Sequence, residues 1–116
     1  MTPPTKVTLD NEGALAVLRF QGDITSASKD VVLGAYEQVS KDHVQNILLD
    51  FSKVSYLNSS GIALVIQMLM EANRSGQKVK IFGLTPHFQK VFTMVGLTKY
   101  TALYPDEVTA KAAFAG

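Results

Sequence analysis

A chain of 116 residues is one ordinary domain, long enough to enclose a single hydrophobic core. With 47% hydrophobic and 18% charged residues it is globular rather than disordered, and a formal net charge of +1 excludes the basic footprint of a nucleic-acid binder. Cysteine is absent from the sequence, which excludes disulfides and thiolate metal sites and permits a reducing compartment. Met1 to Lys6 is polar, contains Pro and Thr, lacks the apolar core of a signal peptide and is expected to be flexible. The longest apolar run, Ile62 to Met70, is too short to span a bilayer. One cytoplasmic domain over residues 1–116, without membrane insertion, is the expectation.

Val7 to Asp10 and Leu15 to Phe20 flank the turn-forming Asn11-Glu12-Gly13, a hairpin pattern. In the second strand Leu15, Val17 and Arg19 fall on one face, Leu18 and Phe20 on the other. Gln21 to Ser26 breaks the strand, and Ser26 or Ser28 is positioned to cap a helix over Ser28 to Lys41, whose stripe is Val31, Val32, Ala35, Tyr36 and Val39. Asn46 to Phe51 reads as a buried strand. A helix from Ser60 to about Arg74 follows, ended by Ser75-Gly76, and then a strand over Gln77 to Phe82. A crossover of this kind makes the two strands parallel. Thr85 and Pro86 open a further helix with Phe88, Val91, Phe92 and Val95 as its core stripe, Met94 off that stripe and Gly96 as its stop. Thr101 to Tyr104 is a short strand, and Pro105-Asp106-Glu107 opens a last helix carrying Val108, Ala112 and Phe114.

The order is β-β-α-β-α-β-α-β-α, the pattern of a single α/β domain with a mostly parallel sheet and an antiparallel edge strand. Open α/β sheets bind ligands and partners at the carboxyl ends of their strands. Asp23-Ile24-Thr25, Asn58-Ser59-Ser60-Gly61 and Gly83-Leu84-Thr85-Pro86 all leave such ends and are expected side by side. The first amides of a helix lack an intrahelical acceptor and carry partial positive charge. Asn58-Ser59-Ser60 therefore has two readings: a plain N-cap, or a cap that also leaves room for an anion or a modifying group.

Other chemistry finds less support in the residues. A Ser hydrolase would draw on Ser59 or Ser60, His43 or His87, and Asp50, but the Gly-x-Ser-x-Gly elbow is missing. Metal binding has neither cysteine nor a paired-His spacing. A nucleotide site would need several glycines followed by Lys, and Gly61 stands alone. No cofactor is expected. The Met-containing run Val65 to Met70 is read as core helix, and Lys78 and Lys80 as the less-buried face of a strand.

Ile47 to Ile62, an apolar strand ending in Asp50 and leading to Asn58-Ser59-Ser60-Gly61, resembles the signature of the STAS domain, the anti-sigma factor antagonist family. The likeness continues through Ser75 to Pro86 and through Val91 to Leu97, and Gly22-Asp23-Ile24-Thr25 is similar to the family's Gly-Glu-Leu-Asp. The resemblance implies a non-enzymatic, phosphorylation-gated binding module of a partner-switching pathway. Its partners would be an anti-sigma factor of the GHKL serine kinase type, which phosphorylates Ser59, and a PP2C-type phosphatase, which reverses this. Asn58, Ser60 and Gly61 would shape the helix start, Thr25 and Thr85 would border the docking face, and Met94 is a further candidate contact. Two departures stand out: Asn58 and Thr25 occupy positions where the family carries Asp. A STAS subunit of a lipid-transport ABC complex, binding its ATPase without phosphorylation, is the runner-up.

Overall fold

The computed structural model describes residues 4–115. Five strands and four helices follow in the expected order: β1 (Lys6–Glu12), β2 (Leu15–Ile24), α1 (Lys29–Lys41), β3 (Asn46–Leu57), α2 (Ser59–Arg74), β4 (Lys78–Phe82), α3 (Pro86–Met94), β5 (Ala102–Tyr104) and α4 (Glu107–Ala115). The sheet order is β1-β2-β3-β4-β5, with β1 antiparallel to β2 and all other neighbours parallel. Part of the N-terminal stretch expected to be flexible, residues 1–3, lies outside the described residues; Thr5 hydrogen-bonds the Asp23 carbonyl and Lys6 already pairs with Gln21.

The period-two alternation of β2 divides the protein into two layers of unequal weight. Ala16, Leu18 and Phe20 face a large core filled by Val32, Tyr36 and Val39 of α1, by Val65, Met68, Leu69 and Ala72 of α2, and by Phe92 of α3. Val17 faces the other way and joins Leu48, Phe82 and Ala110 in a small cluster under α4, bordered by Leu15, Tyr104 and Phe114. Three helices thus cover one face and one covers the other. Phe51 sits at the centre of the large core, edge-on to Phe20 (centroids 5.0 Å apart) and to Phe92 (6.1 Å).

Five expectations need correction. β3 does not stop at Phe51 but runs on to Leu57, because it carries extra residues against β2. Arg19 and Gln21 pair with Asp50 and Lys53, and Gly22 and Asp23 with Val54 and Tyr56, so β3 twice inserts one residue more than its neighbour. Such bulges break the alternation that marks a strand in sequence. In α3 only Phe92 is fully buried; Val95 is the C-cap, turned out to solvent, because the helix ends at Met94. Val31 of α1 is likewise exposed, and Val108 of α4 is 80% exposed, that helix being buried through Ala110 instead. Finally, Ser59 rather than Ser60 begins α2, with Asn58 as its cap.

Phe51→Ala removes a ring on which two others pack, a change that costs about 3–5 kcal/mol in a core that cannot collapse around it. Urea titration should show a large drop in midpoint; a midpoint within error of the parent would mean that the three rings do not form one core.

Candidate functional site

The end of β2 and the beginning of α2 are built against each other. The Asn58 amide donates to the Ile24 carbonyl (3.4 Å), and Asn58, in extended conformation, accepts the Gly61 amide on its side-chain oxygen at 2.8 Å. Ile62 then donates to the Asn58 carbonyl at 2.9 Å, the first turn of the helix. Gly61 is buried because it lies against Ile24: a Cβ there would stand 2.0 Å from the Ile24 carbonyl oxygen. Only glycine lets α2 start this close to β2.

The consequence for the two serines is exposure. With Asn58 and Gly61 turned inward, Ser59 and Ser60 are both exposed, on a first turn that contains no acidic residue. Their amides have no carbonyl within the helix to bond, so the hydroxyls stand in the region of partial positive charge. Thr25 is beside them through Ile24. Its hydroxyl accepts the Ala27 amide (3.2 Å) while its own amide donates to Ser28 Oγ (2.9 Å), a reciprocal cap that fixes the loop. Thr5 closes that loop from outside, bonded to Ser28 Oγ and to the Asp23 carbonyl. Tyr56, 52% exposed, lies close by in sequence on the end of β3 beyond Phe51.

The structure places the third expected loop differently. β4 pairs with β3 only as far as Phe82 opposite Asp50, and Gly83 packs on Ser52 so closely that a Cβ would stand 2.7 Å from its amide nitrogen. The chain therefore leaves β4 beside the middle of β3, not beside its end. Thr85 is exposed and caps α3 by accepting the Phe88 amide at 3.3 Å; Met94, 84% exposed, ends the same helix. Pro86 and Met94 are eight residues apart, about 12 Å of helix rise. Pro86, Gln89, Lys90, Thr93 and Met94 line a shallow surface groove along α3.

A family model described as "Mlab, STAS domain" matches residues 7–105. The chain belongs to the STAS domain family. Among curated relatives, an anti-sigma F factor antagonist of Paenibacillus polymyxa is 20% identical over 106 residues, covering 90% of this chain and 91% of its own. Among solved structures, an anti-sigma factor antagonist from Mycobacterium paratuberculosis superposes with a TM-score of 0.84 at 18% identity, covering 97% of this chain and 96% of that one. The Bacillus cell fate determinant SpoIIAA in its phosphorylated form gives 0.71 at 18% identity, covering 92% and 98%. At these identities the two structures share the fold with this STAS domain.

The chief polar feature that the sequence did not announce lies on the opposite side of the sheet. Arg19 bonds Asp10 Oδ2 through Nε (2.6 Å), Asp50 Oδ2 (2.9 Å), and both carboxylate oxygens of Glu107 (2.9 and 3.0 Å). Lys111 adds contacts to Glu107 (2.7 Å) and Glu12 (2.8 Å). Asp50 also accepts the Ser52 amide and hydroxyl, at 2.9 and 2.6 Å. The acid considered for a hydrolase is thus bound up between strands and the last helix. Arg19, then Lys111, hold the Glu107 carboxyl down at about 2, and the same bonds, led by the one to Glu107, raise the Arg19 guanidinium. Only the positions of Asp10 and Glu107, 97 residues apart in the chain, hide this cluster from a reader of the sequence.

Two predictions follow from this geometry. Replacing a helical glycine by alanine ordinarily stabilises by about 1 kcal/mol. Gly61→Ala should do the reverse, lowering stability by about 1–3 kcal/mol because the obstructing atom is backbone; a raised melting temperature would show the approach to Ile24 to be looser than described. Glu107 is a carboxylate whose folded value lies below its ordinary 4.5, so its contribution is complete above 4.5 and is lost as the pH falls toward 2. The stability gap between the parent and Glu107→Gln should therefore shrink across that window; a gap independent of pH there would remove Glu107 from the ionic cluster.

Proposed function

We propose that this STAS domain is an anti-sigma factor antagonist, a regulatory binding protein rather than an enzyme. Its docking face is the exposed start of α2 with the Thr25 loop beside it, and its partner is an anti-sigma factor of the GHKL serine kinase type. In the unphosphorylated state the domain binds that partner and so frees the sigma factor. Transfer of the ATP γ-phosphoryl to Ser59 Oγ ends the complex, and a PP2C-type phosphatase restores it. Thr85 and Met94, on α3, extend the contact along a second element.

The observation that carries this reading is the exposed hydroxyl of Ser59 at the first position of a 16-residue helix. A phosphoryl group brings roughly −1.5 to −2 charges at neutral pH. Free amides and the helix dipole favour that charge where it is added, so the fold accepts it. A docked partner does not, since the same charge must then be desolvated at the interface. The switch acts on the surface and leaves the core alone.

A second reading keeps the face and drops the switch. The positions before the serines and after Ile24 hold Asn58 and Thr25, where the family's motif has Asp, so two acidic groups that a kinase or phosphatase could read are missing. The domain would then be a STAS subunit of a lipid-transport ABC complex, held on its ATPase.

Incubation with a GHKL-type serine kinase from the same organism and ATP, followed by mass spectrometry, should place one phosphate on Ser59 and none on Ser59→Ala. The phosphorylated protein should keep its far-UV spectrum and lose at least tenfold in partner affinity. Phosphate elsewhere, or unchanged affinity with full phosphate on Ser59, would refute the gating; stable binding to a transporter ATPase without any phosphate would decide for the second reading.

A further inference from the structure

β1 is the outer strand of the sheet: one side pairs with β2 along its whole length, and among the described residues no strand lies on its other side. A strand edge offers a row of backbone donors and acceptors, and proteins commonly blunt it with charges. The charges of β1 are arranged differently, with Lys6 at one end and Glu12 at the other, both exposed. We propose that this edge pairs with the same edge of a second copy of the chain, antiparallel about Leu9, joining two sheets into one.

Register decides the case. In an antiparallel pair centred on Leu9, every residue from 6 to 12 finds a partner, and directly opposite residues point to the same face. Lys6 then faces Glu12 of the second copy, twice by symmetry, and Thr8 faces Asp10. The two neighbouring registers that keep the faces matched are both worse. Centring on Thr8 sets Lys6 against Asp10 but shortens the pairing to residues 6–10 and leaves Asn11 and Glu12 without partners. Centring on Asp10 brings two carboxylates directly together. Shifting by a single residue sends Val7 and Leu9, which pack on the main core, against the polar face. Only the register centred on Leu9 pairs the strand over its whole length with opposite charges facing each other, as an isologous contact requires. Glu12 keeps its bond to Lys111 in this arrangement, so each junction becomes a chain of Lys6, Glu12 and Lys111.

The carboxyl ends of β2 in the two copies would point in opposite directions, presenting two Ser59 faces at the two ends of the joined sheet. The pairing itself does not depend on what those faces bind.

Sedimentation velocity over a concentration series should show a monomer passing to a dimer. Lys6→Glu alone should abolish the dimer, since it sets Glu against Glu12, and Lys6→Glu/Glu12→Lys should restore it. An independent check uses the absence of native cysteine. Within one chain, positions 6 and 12 are about 20 Å apart along the strand and cannot be bridged. Mild oxidation of Lys6→Cys/Glu12→Cys should therefore give a covalent dimer, and Lys6→Cys/Asp10→Cys should give little. A protein that stays monomeric throughout, a dimer indifferent to Lys6→Glu, or equal cross-linking of the two cysteine pairs would overturn the proposal.

Discussion

One backbone carbonyl, that of Ile24, sets where the central helix begins. It accepts the Asn58 amide and stands against the bare Cα of Gly61, so the end of β2 and the first turn of α2 are locked at backbone contact. Side-chain packing could not hold them so near, because any Cβ at position 61 would collide with an atom that cannot turn aside. From that contact the rest of the site follows. Asn58 is drawn inward and becomes the cap, Gly61 is sealed, and the two serines between them have nowhere to go but outward.

The sheet beneath is held by different forces on its two faces. On one, three helices bury an apolar layer that includes the Phe20, Phe51 and Phe92 rings. On the other, a nine-residue helix buries little beyond Ala110 and part of Phe114, and is tied down through Glu107. Partly exposed ion pairs contribute modestly when taken singly. Arg19 is worth more as a junction, since one guanidinium joins β1, β3 and α4 to β2, five residues before the carbonyl that positions α2. The start of α2 thus rests on a strand clamped from both faces, a rigid support for whatever the site binds.

Element type and order were legible because they follow from local rules. The alternation of Leu15 to Phe20 assigned Leu18 and Phe20 to one face and Val17 to the other, and both clusters obey it. Thr85-Pro86 and Ser75-Gly76 marked helix ends where the chain does cap and turn. What stayed hidden is non-local. The far half of β3 pairs through two bulges, whose effect is to remove the very periodicity by which a strand is recognised, so the sequence pattern ends at Phe51. Val95 continued an apolar spacing past the point where the backbone stopped being helical. Arg19 looked like one more position on an alternating strand, and nothing near it in sequence told of Glu107. The exposed serines belong to the legible class, since the Asn-Ser-Ser-Gly pattern follows from cap chemistry; the level of the Thr85 loop does not, since it depends on how far β4 runs along β3.

The substitution of Asn for Asp before the serines can be weighed in the same physical terms. As caps the two residues are nearly equivalent, and Asn58 makes the expected bond to Gly61. Their electrostatics differ. An aspartate at this position would bring a full negative charge to the amides that a phosphoryl group on Ser59 needs, and would repel that group at close range. Asparagine satisfies the Gly61 amide while leaving the positive end of the helix uncompensated, and no acidic residue of the first turn makes up the difference. Charge placed at such an end is worth about 0.3–1 kcal/mol when exposed to solvent. Phosphate on Ser59 would accordingly be better tolerated by this domain than by one that carries the family's acid. Any loss of phosphorylation caused by the change would have to arise in recognition by the modifying enzymes, not in the stability of the modified protein.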